Sequence, residues 1–328
     1  MKELFALLRQ GNKSAFIAGI VNGIISILKA TAFFLTGNVA MFAEMLHSLG
    51  DAANQFFVFI GSALSKKAPT ARFPNGFGRL VNLVLLGAVL IVGIMSYETV
   101  KEGFHHILHP NESKGIIINL TVLGIAVLLE GFVLYKAMKE VLHETHIEAS
   151  GFAIISKSFG AYKNAKPATK LVFMEDSVAT AGGVLAIIAI LLANFTPFNQ
   201  AEGIASVLIG LMMFYVVGRV FLDNAAGALG EADPDIQFKI GNMVMQDPDV
   251  RDIEAITVLK EGEDFHVEVE VELDATMTVA QADVVKDRLV KAILEEKGVT
   301  DVLVEFDQDD GFTTWKDSKT LKEDDPKV

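Results

Sequence analysis

The chain has 328 residues, 51% of them hydrophobic and only 21% charged, with a mean hydropathy of +0.41. That balance is too apolar for an ordinary soluble protein, excludes disorder over most of the length and calls for several membrane spans. The complete lack of cysteine excludes disulfide frameworks, cysteine zinc sites, thiol catalysis and iron–sulfur ligation. The net charge of −13 is unevenly divided: 17 Lys and Arg face 14 Asp and Glu up to Gly230, and 11 face 27 beyond it. A nearly neutral apolar half is therefore followed by an acidic soluble half, and no basic patch suited to nucleic acid is present.

Six apolar stretches have about the 20 residues that cross a bilayer as helix: 14–35, 38–63, 80–97, 115–134, 171–194 and 204–221. The first follows a polar amphipathic lead, 1–13, and carries internal polar residues, so it reads as a span and not as a cleaved signal. Gly37-Asn38 is a turn signal between the first two spans. Lys66, Lys67, Arg72 and Arg79 follow the second span and Lys136 to Lys170 follow the fourth, whereas the opposite loops offer only Lys101 and Lys114. The positive-inside rule then puts both termini in the cytoplasm, in agreement with an even number of spans. Between the fourth and fifth spans, 151–162 has the make-up of a short interfacial helix.

Beyond Gly230 the hydrophobic period changes. Phe265, Val267, Val269, Val271 and Leu273 alternate with His266, Glu268, Glu270 and Glu272, the pattern of a half-buried strand. Two more strands are expected at 252–258 and 301–306, and helices at 234–245 and 279–296. The order α-β-β-α-β suits a small open sheet with both helices on one face. From 308 onward the chain reads as a charged, disordered tail, and the acidic runs 308–310 and 323–325 as solvated charge.

Ionisable residues inside spans are expensive and mark function by default. The second span carries Glu44, His47 and Asp51 at i, i+3 and i+7, one helical face, with Asn54 continuing the stripe. His47 and Asp51, one turn apart, bring an imidazole nitrogen and a carboxylate oxygen to one cation, and two further donors complete a tetrahedral site. The fifth span holds the adjacent acids Glu175 and Asp176, which point about 100° apart. Asn22, Lys29 and Glu130 complete the buried polar set. For Asn22, Glu44, Asn54 and Glu130 a role as polar glue between helices stands equally open. For His47, Asp51 and Asp176 together it is an expensive solution, and metal binding is the better reading.

The other histidines are weaker candidates. His105, His106 and His109 fall in the expected outer loop after the third span, and His143 and His146 near the end of the fourth. Solvated or interfacial histidines explain both groups more simply than metal traps. There is no HExxH, against an intramembrane zinc protease, and no GxxxxGK[ST], against a pump that hydrolyses its own ATP.

Several strings in order, LTGNVAMFAEMLHSLGDAANQ (35–55), FPNGFGR (73–79), EGIASVLIGLMM (202–213) and GEADPD (230–235), resemble the cation diffusion facilitator family of metal–proton antiporters. The resemblance covers about 14 to 307 and implies a six-helix transmembrane α-helical unit over 1–230 and a cytoplasmic α+β, ferredoxin-like domain over 231–307, with 308–328 as the tail. It implies a homodimer in the cell membrane that is not an enzyme and has no cofactor beyond its cargo. The implied activity is export of a divalent transition metal, usually zinc, against protons.

Departures from the family pattern refine the site. Its common fifth-helix His-xxx-Asp has Asp176 here, but Val172 stands at the histidine position. Glu175-Asp176 instead resembles a divergent branch that includes a mitochondrial zinc transporter of animals. The expected metal ligands are therefore His47, Asp51 and Asp176, with Glu175 as the lesser candidate. Thr70, Ala71 and Phe73 replace the ligands of a peripheral loop site, which is expected to be absent. In the soluble domain the family's dimer-site positions hold Glu254, Glu270, Asp283, Glu305 and Asp307, best read as ordinary exposed acids. Manganese, cobalt or ferrous iron are runners-up to zinc, since carboxylates weaken the zinc preference. Imidazole titrates near neutrality, which makes His47 the leading proton carrier. A membrane metal sensor that binds without transport is the alternative.

Overall fold

The computed structural model describes residues 7–73, 76–111, 114–165, 167–261 and 264–315. The outermost lead residues, part of the FPNGFGR string, Lys166 and the acidic run 323–325 lie outside the described residues. Among the described residues there are six long helices, α1 (Lys13–Thr36), α2 (Val39–Ser65), α3 (Leu80–Leu108), α4 (Ile116–Glu144), α6 (Pro167–Phe195) and α7 (Ala201–Leu229), with the short α5 (Ala153–Ala161) before α6. Then follow α8 (Pro234–Val244), β1 (Asp252–Glu261), β2 (Asp264–Leu273), α9 (Val279–Leu294) and β3 (Val299–Gln308). The chain divides into two compact units, one of residues 1–63 and 83–224, the other of 64–82 and 225–328.

Among the described residues five helices, α1, α3, α4, α6 and α7, are long and apolar enough to cross a membrane. The six spans expected from the sequence are not all of that kind. The exception, α2, is 27 residues long, but Glu44, His47, Asp51, Asn54 and Gln55 lower its average hydropathy. The outward faces of the spans carry exposed Ile17, Ile24, Leu90, Leu128 and Leu211, side chains that a lipid phase would cover.

The helix ends follow local chemistry. Asn12 accepts a hydrogen bond from the Ala15 N–H to start α1, and Gly37, at φ 70°, ends it in the left-handed conformation that L side chains avoid. Asn38 then accepts from the Met41 N–H and so opens α2, which makes 37–38 the expected turn. The third and fourth spans run further than the sequence suggests. GFHHIL continues α3, so that His105 and His106 lie in its last turn and not in a loop, and His143 lies in the last turn of α4. No Pro intervenes to stop either helix, and Gly103 is accommodated inside α3.

Small residues set the packing of the membrane unit. Gly103 and Gly203 bring α3 and α7 together so closely that a Cβ on Gly203 would lie 2.7 Å from the Gly103 carbonyl oxygen. Gly210 repeats the contact against Val100 two turns on, and the Ser206 hydroxyl donates to the Thr99 carbonyl between them. The same economy brings α6 against α2 and α4 at Gly182 and Gly183.

In the second unit the sheet order is β1-β2-β3, antiparallel between β1 and β2 and parallel between β2 and β3. Val267, Val269, Val271 and Leu273 of β2 share one core with Ile240 and Val244 of α8 and Val285, Leu289 and Ile293 of α9. Asp233 caps α8 with Pro234 at its first position, and Thr278 and Gln281 form a reciprocal capping box on α9. The expected α-β-β-α-β order is present. Residues 309–315, assigned above to a disordered tail, run back along the domain: the Asp309 N–H donates to Leu273 and the Trp315 N–H to Asp252. The Trp315 indole packs on Gly241, where any side chain would displace it. Residues 316–328 lie outside the described residues.

Candidate metal centre

The Glu44–His47–Asp51 stripe of α2 splits into two parts. Glu44 is fully buried and its Oε2 accepts from Lys29 Nζ of α1 at 2.7 Å. The same ammonium reaches Glu130 Oε1 of α4 at 3.1 Å. Lys29 thus ties three helices together, the polar glue left open for Glu44 and Glu130 in the sequence. Lys29 itself was counted among the buried polar residues, but its position between the two acids needs the fold to be seen.

His47 and Asp51 have no such partner. His47 is 7% exposed, and its Nε2 atom is buried without a hydrogen bond. It stands 3.5 Å from Asp51 Oδ2, beyond hydrogen-bond range. Two atoms sharing a tetrahedral ion with bonds of about 2.0–2.1 Å are about 3.3–3.4 Å apart, so this spacing is close to one edge of such a site.

The other half of the set comes from α6. Asp176 Oδ2 is buried without a hydrogen bond, and so is Thr180 Oγ1, one turn further along the same face. Thr180 was missed in the sequence, because a lone threonine in an apolar helix carries no signal; its place one turn from Asp176 is the only clue. Asp51 is an electrostatic neighbour of both Glu175 and Asp176, and Asp176 also feels Glu130. The arrangement places Asp51 of α2 within electrostatic reach of Glu175 and Asp176 of α6. It does not close them into a finished cage: among the described residues no three His, Asp or Glu side chains are gathered at metal-binding range. One imidazole and carboxylates in this setting suit a borderline divalent ion once the side chains converge on it.

The remaining candidates separate from this centre. His106 is buried and its Nε2 lies 3.3 Å from the Asn111 carbonyl, while His105 stacks on His109 at 5.1 Å. His143 and His146 line an open groove with Glu140 and Glu148, and His146 takes a left-handed φ of 54°. In the second unit, Asp283 accepts from Lys286 and Glu254 from Thr314, Glu305 and Asp307 are exposed, and Glu270, expected to be exposed, is half-buried on β2. The buried acids there are others, Asp252 and Glu272.

Comparison with known proteins places the chain. Residues 15–227 match the family described as "Cation efflux transmembrane domain" and residues 232–309 that described as "Cation efflux protein, cytoplasmic domain". A relative in Xenopus laevis, "Proton-coupled zinc antiporter SLC30A9, mitochondrial", is 27% identical over 76% of this chain and 44% of its own length. "Cation-efflux pump FieF" of Pectobacterium atrosepticum is 21% identical over 90% of this chain and 91% of its own. "Metal tolerance protein C4" of Arabidopsis thaliana is 25% identical over 65% of this chain and 46% of its own. The chain spans less than half the length of the zinc antiporter relatives it matches. Members of the matched family are transporters and not enzymes. The two matches follow one another along most of the chain, and the chain is a membrane protein that belongs to the cation efflux, or cation diffusion facilitator, family.

Proposed function

We propose that this chain exports a divalent transition metal, zinc first, from the cytoplasm in exchange for protons, through a centre made by His47, Asp51 and Asp176. Glu175 serves as the lesser ligand or as a proton acceptor beside it. The observation that carries the reading is the unpartnered His47 Nε2, 3.5 Å from Asp51 Oδ2, together with the unpartnered Asp176 Oδ2 on the facing helix. Buried polar atoms without partners are costly, and a cargo ion that satisfies them in passing accounts for their retention. The similarity to a zinc antiporter and a cation-efflux pump supports the same reading.

The exchange follows from donor chemistry. Metal needs neutral imidazole and ionised carboxylates, so metal and protons compete for the same atoms. A centre open to the cytoplasm loads metal and sheds protons; open to a more acidic face, it takes protons and sheds metal. In this reading α1, α2, α3, α4, α6 and α7 form six spans with both termini cytoplasmic, by the distribution of Lys and Arg. Residues 1–230 form the transport domain and 231–307 a cytoplasmic domain that pairs two copies in a cell membrane. The test is flux of Zn²⁺, Mn²⁺, Co²⁺ and Fe²⁺ in proteoliposomes under an imposed pH gradient. Zinc uptake that follows the gradient supports the proposal; binding without flux of any of the four would make the chain a sensor.

A further inference from the structure

Lys29, Glu44 and Glu130 form a charge cluster that the transport reading does not use. Its ammonium is completely buried and bonds one oxygen of each carboxylate, at 2.7 and 3.1 Å. The other two oxygens, Glu44 Oε1 and Glu130 Oε2, are buried with no hydrogen-bond partner. Two carboxylates thus share one ammonium. Leaving carboxylate oxygens buried and unpaired is expensive, so their position asks for an explanation.

The facing helix adds the second observation. A Cβ built on Gly182 would stand 2.7 Å from Glu44 Oε1, and one built on Gly183 would stand 3.5 Å from Glu130 Oε2 and 3.8 Å from Glu44 Oε2. Consecutive glycines on α6 thus let both carboxylates pack close to its backbone, with Val127 and Ile209 as the neighbouring side chains. Two carboxylates converging on one cationic nitrogen form an oxygen-donor arrangement of the kind that holds a hard or borderline divalent ion. That nitrogen is the end of a lysine side chain.

We propose that Lys29 is a tethered cation seated in a second, Glu44–Glu130 divalent-metal site, and that its charge keeps that site closed to metal. The site is distinct from His47, Asp51 and Asp176 and stands whether or not those residues carry cargo. With Lys29 in place, an ion in the membrane unit meets one competent centre. Without its charge, the two carboxylates border the vacated ammonium position and capture a divalent ion there.

The test counts Mn²⁺ bound to the full chain in detergent, by electron paramagnetic resonance of the free ion during titration. Lys29→Met is expected to bind one Mn²⁺ per chain more than the wild type, whatever the wild-type count. Lys29→Arg, which keeps the charge, is expected to match the wild type, and Lys29→Met with Glu44→Gln to lose the additional ion. Lys29→Gln, which keeps an N–H donor for one carboxylate, carries the same expectation as Lys29→Met if the methionine variant is not recovered. A monodisperse Lys29→Met or Lys29→Gln chain with the wild-type count would overturn the proposal, as would an additional ion that survives Glu44→Gln.

Discussion

Lys29 Nζ lies 2.7 Å from Glu44 Oε2 with neither side chain exposed, so the first acid of the α2 stripe is already neutralised from within the protein. His47, one turn further along, has no partner on Nε2. Within one helical face the chain thus separates a charge-paired acid from a pair of donors still to be satisfied.

Replacing His47 by aspartate makes the proposed centre all-oxygen. Preference is expected to move from zinc toward manganese by the softness of the lost ligand. The pH dependence is expected to move as well, because a carboxylate in place of an imidazole changes which protons compete with metal. Zinc and manganese uptake into inside-out vesicles over about pH 6 to 8 measures both. Unchanged selectivity and an unchanged profile would reduce His47 to a packed polar residue.

The adjacent acids of α6 are expected to differ. Asp176→Asn removes an oxygen proposed to touch the metal and abolishes zinc flux. Glu175→Gln weakens zinc affinity by about tenfold, the size of effect typical of groups behind the ligands. Metal affinity of the two purified variants ranks them, and a reversed order would make Glu175 the ligand and Asp176 its support.

In the second unit, Arg288 bonds Asp247 through two nitrogens, at 2.5 and 2.6 Å, and Asp249 at 2.7 Å. Burial opposes the Asp247 charge, but the Arg288 hydrogen bonds outweigh it and hold the carboxyl below its usual range. A depressed value in the folded state adds stability above the unfolded carboxyl value of about 4, and that stability is lost as pH falls through the depressed one. Arg288→Ala is expected to cost about 1 kcal/mol at neutral pH, given the exposure of the arginine, and to flatten this acid limb. Trp315, the single tryptophan, packs on Gly241 of this domain and reports its unfolding within the full chain.

Glu272 has the opposite sign. Burial and the charges of Asp310, Asp252, Asp309 and Glu254 push its carboxyl above the usual range. Its contribution is therefore full below about pH 4 and lost as pH rises through the raised value. Glu272→Gln is expected to raise the melting temperature at pH 7 and to leave it unchanged near pH 4. Equal melting temperatures at both pH values would show that Glu272 is not held against its charge.

Much of this was legible in the sequence because the bilayer makes polar residues conspicuous. The stripe Glu44, His47, Asp51 and the acids Glu175 and Asp176 stand out in apolar runs, and the β2 alternation and the Thr278 cap read directly. What was not legible depends on contacts between distant segments. Lys29 and Glu130 are 101 residues apart and meet only when α1 and α4 pack. Thr180 becomes visible only through an unpartnered hydroxyl beside Asp176. The ends of α3 and α4 ran past the expected spans because hydropathy marks the apolar core of a span, whereas the hydrogen-bonded helix continues into polar residues such as His105 and His143. The onset of the tail was misplaced because a single indole, Trp315, outweighs its charged surroundings by packing on Gly241.

The most direct test of metal-for-proton exchange through His47, Asp51 and Asp176 is to record Zn²⁺ uptake and lumenal pH together in one proteoliposome preparation. The comparison is between wild type, Asp51→Ala and Asp176→Ala. The expected result is zinc entry with a proportional rise in lumenal pH for the wild type, and neither signal for the folded variants. Zinc entry without a pH change in the wild type, or near-normal zinc entry in either variant, would contradict it.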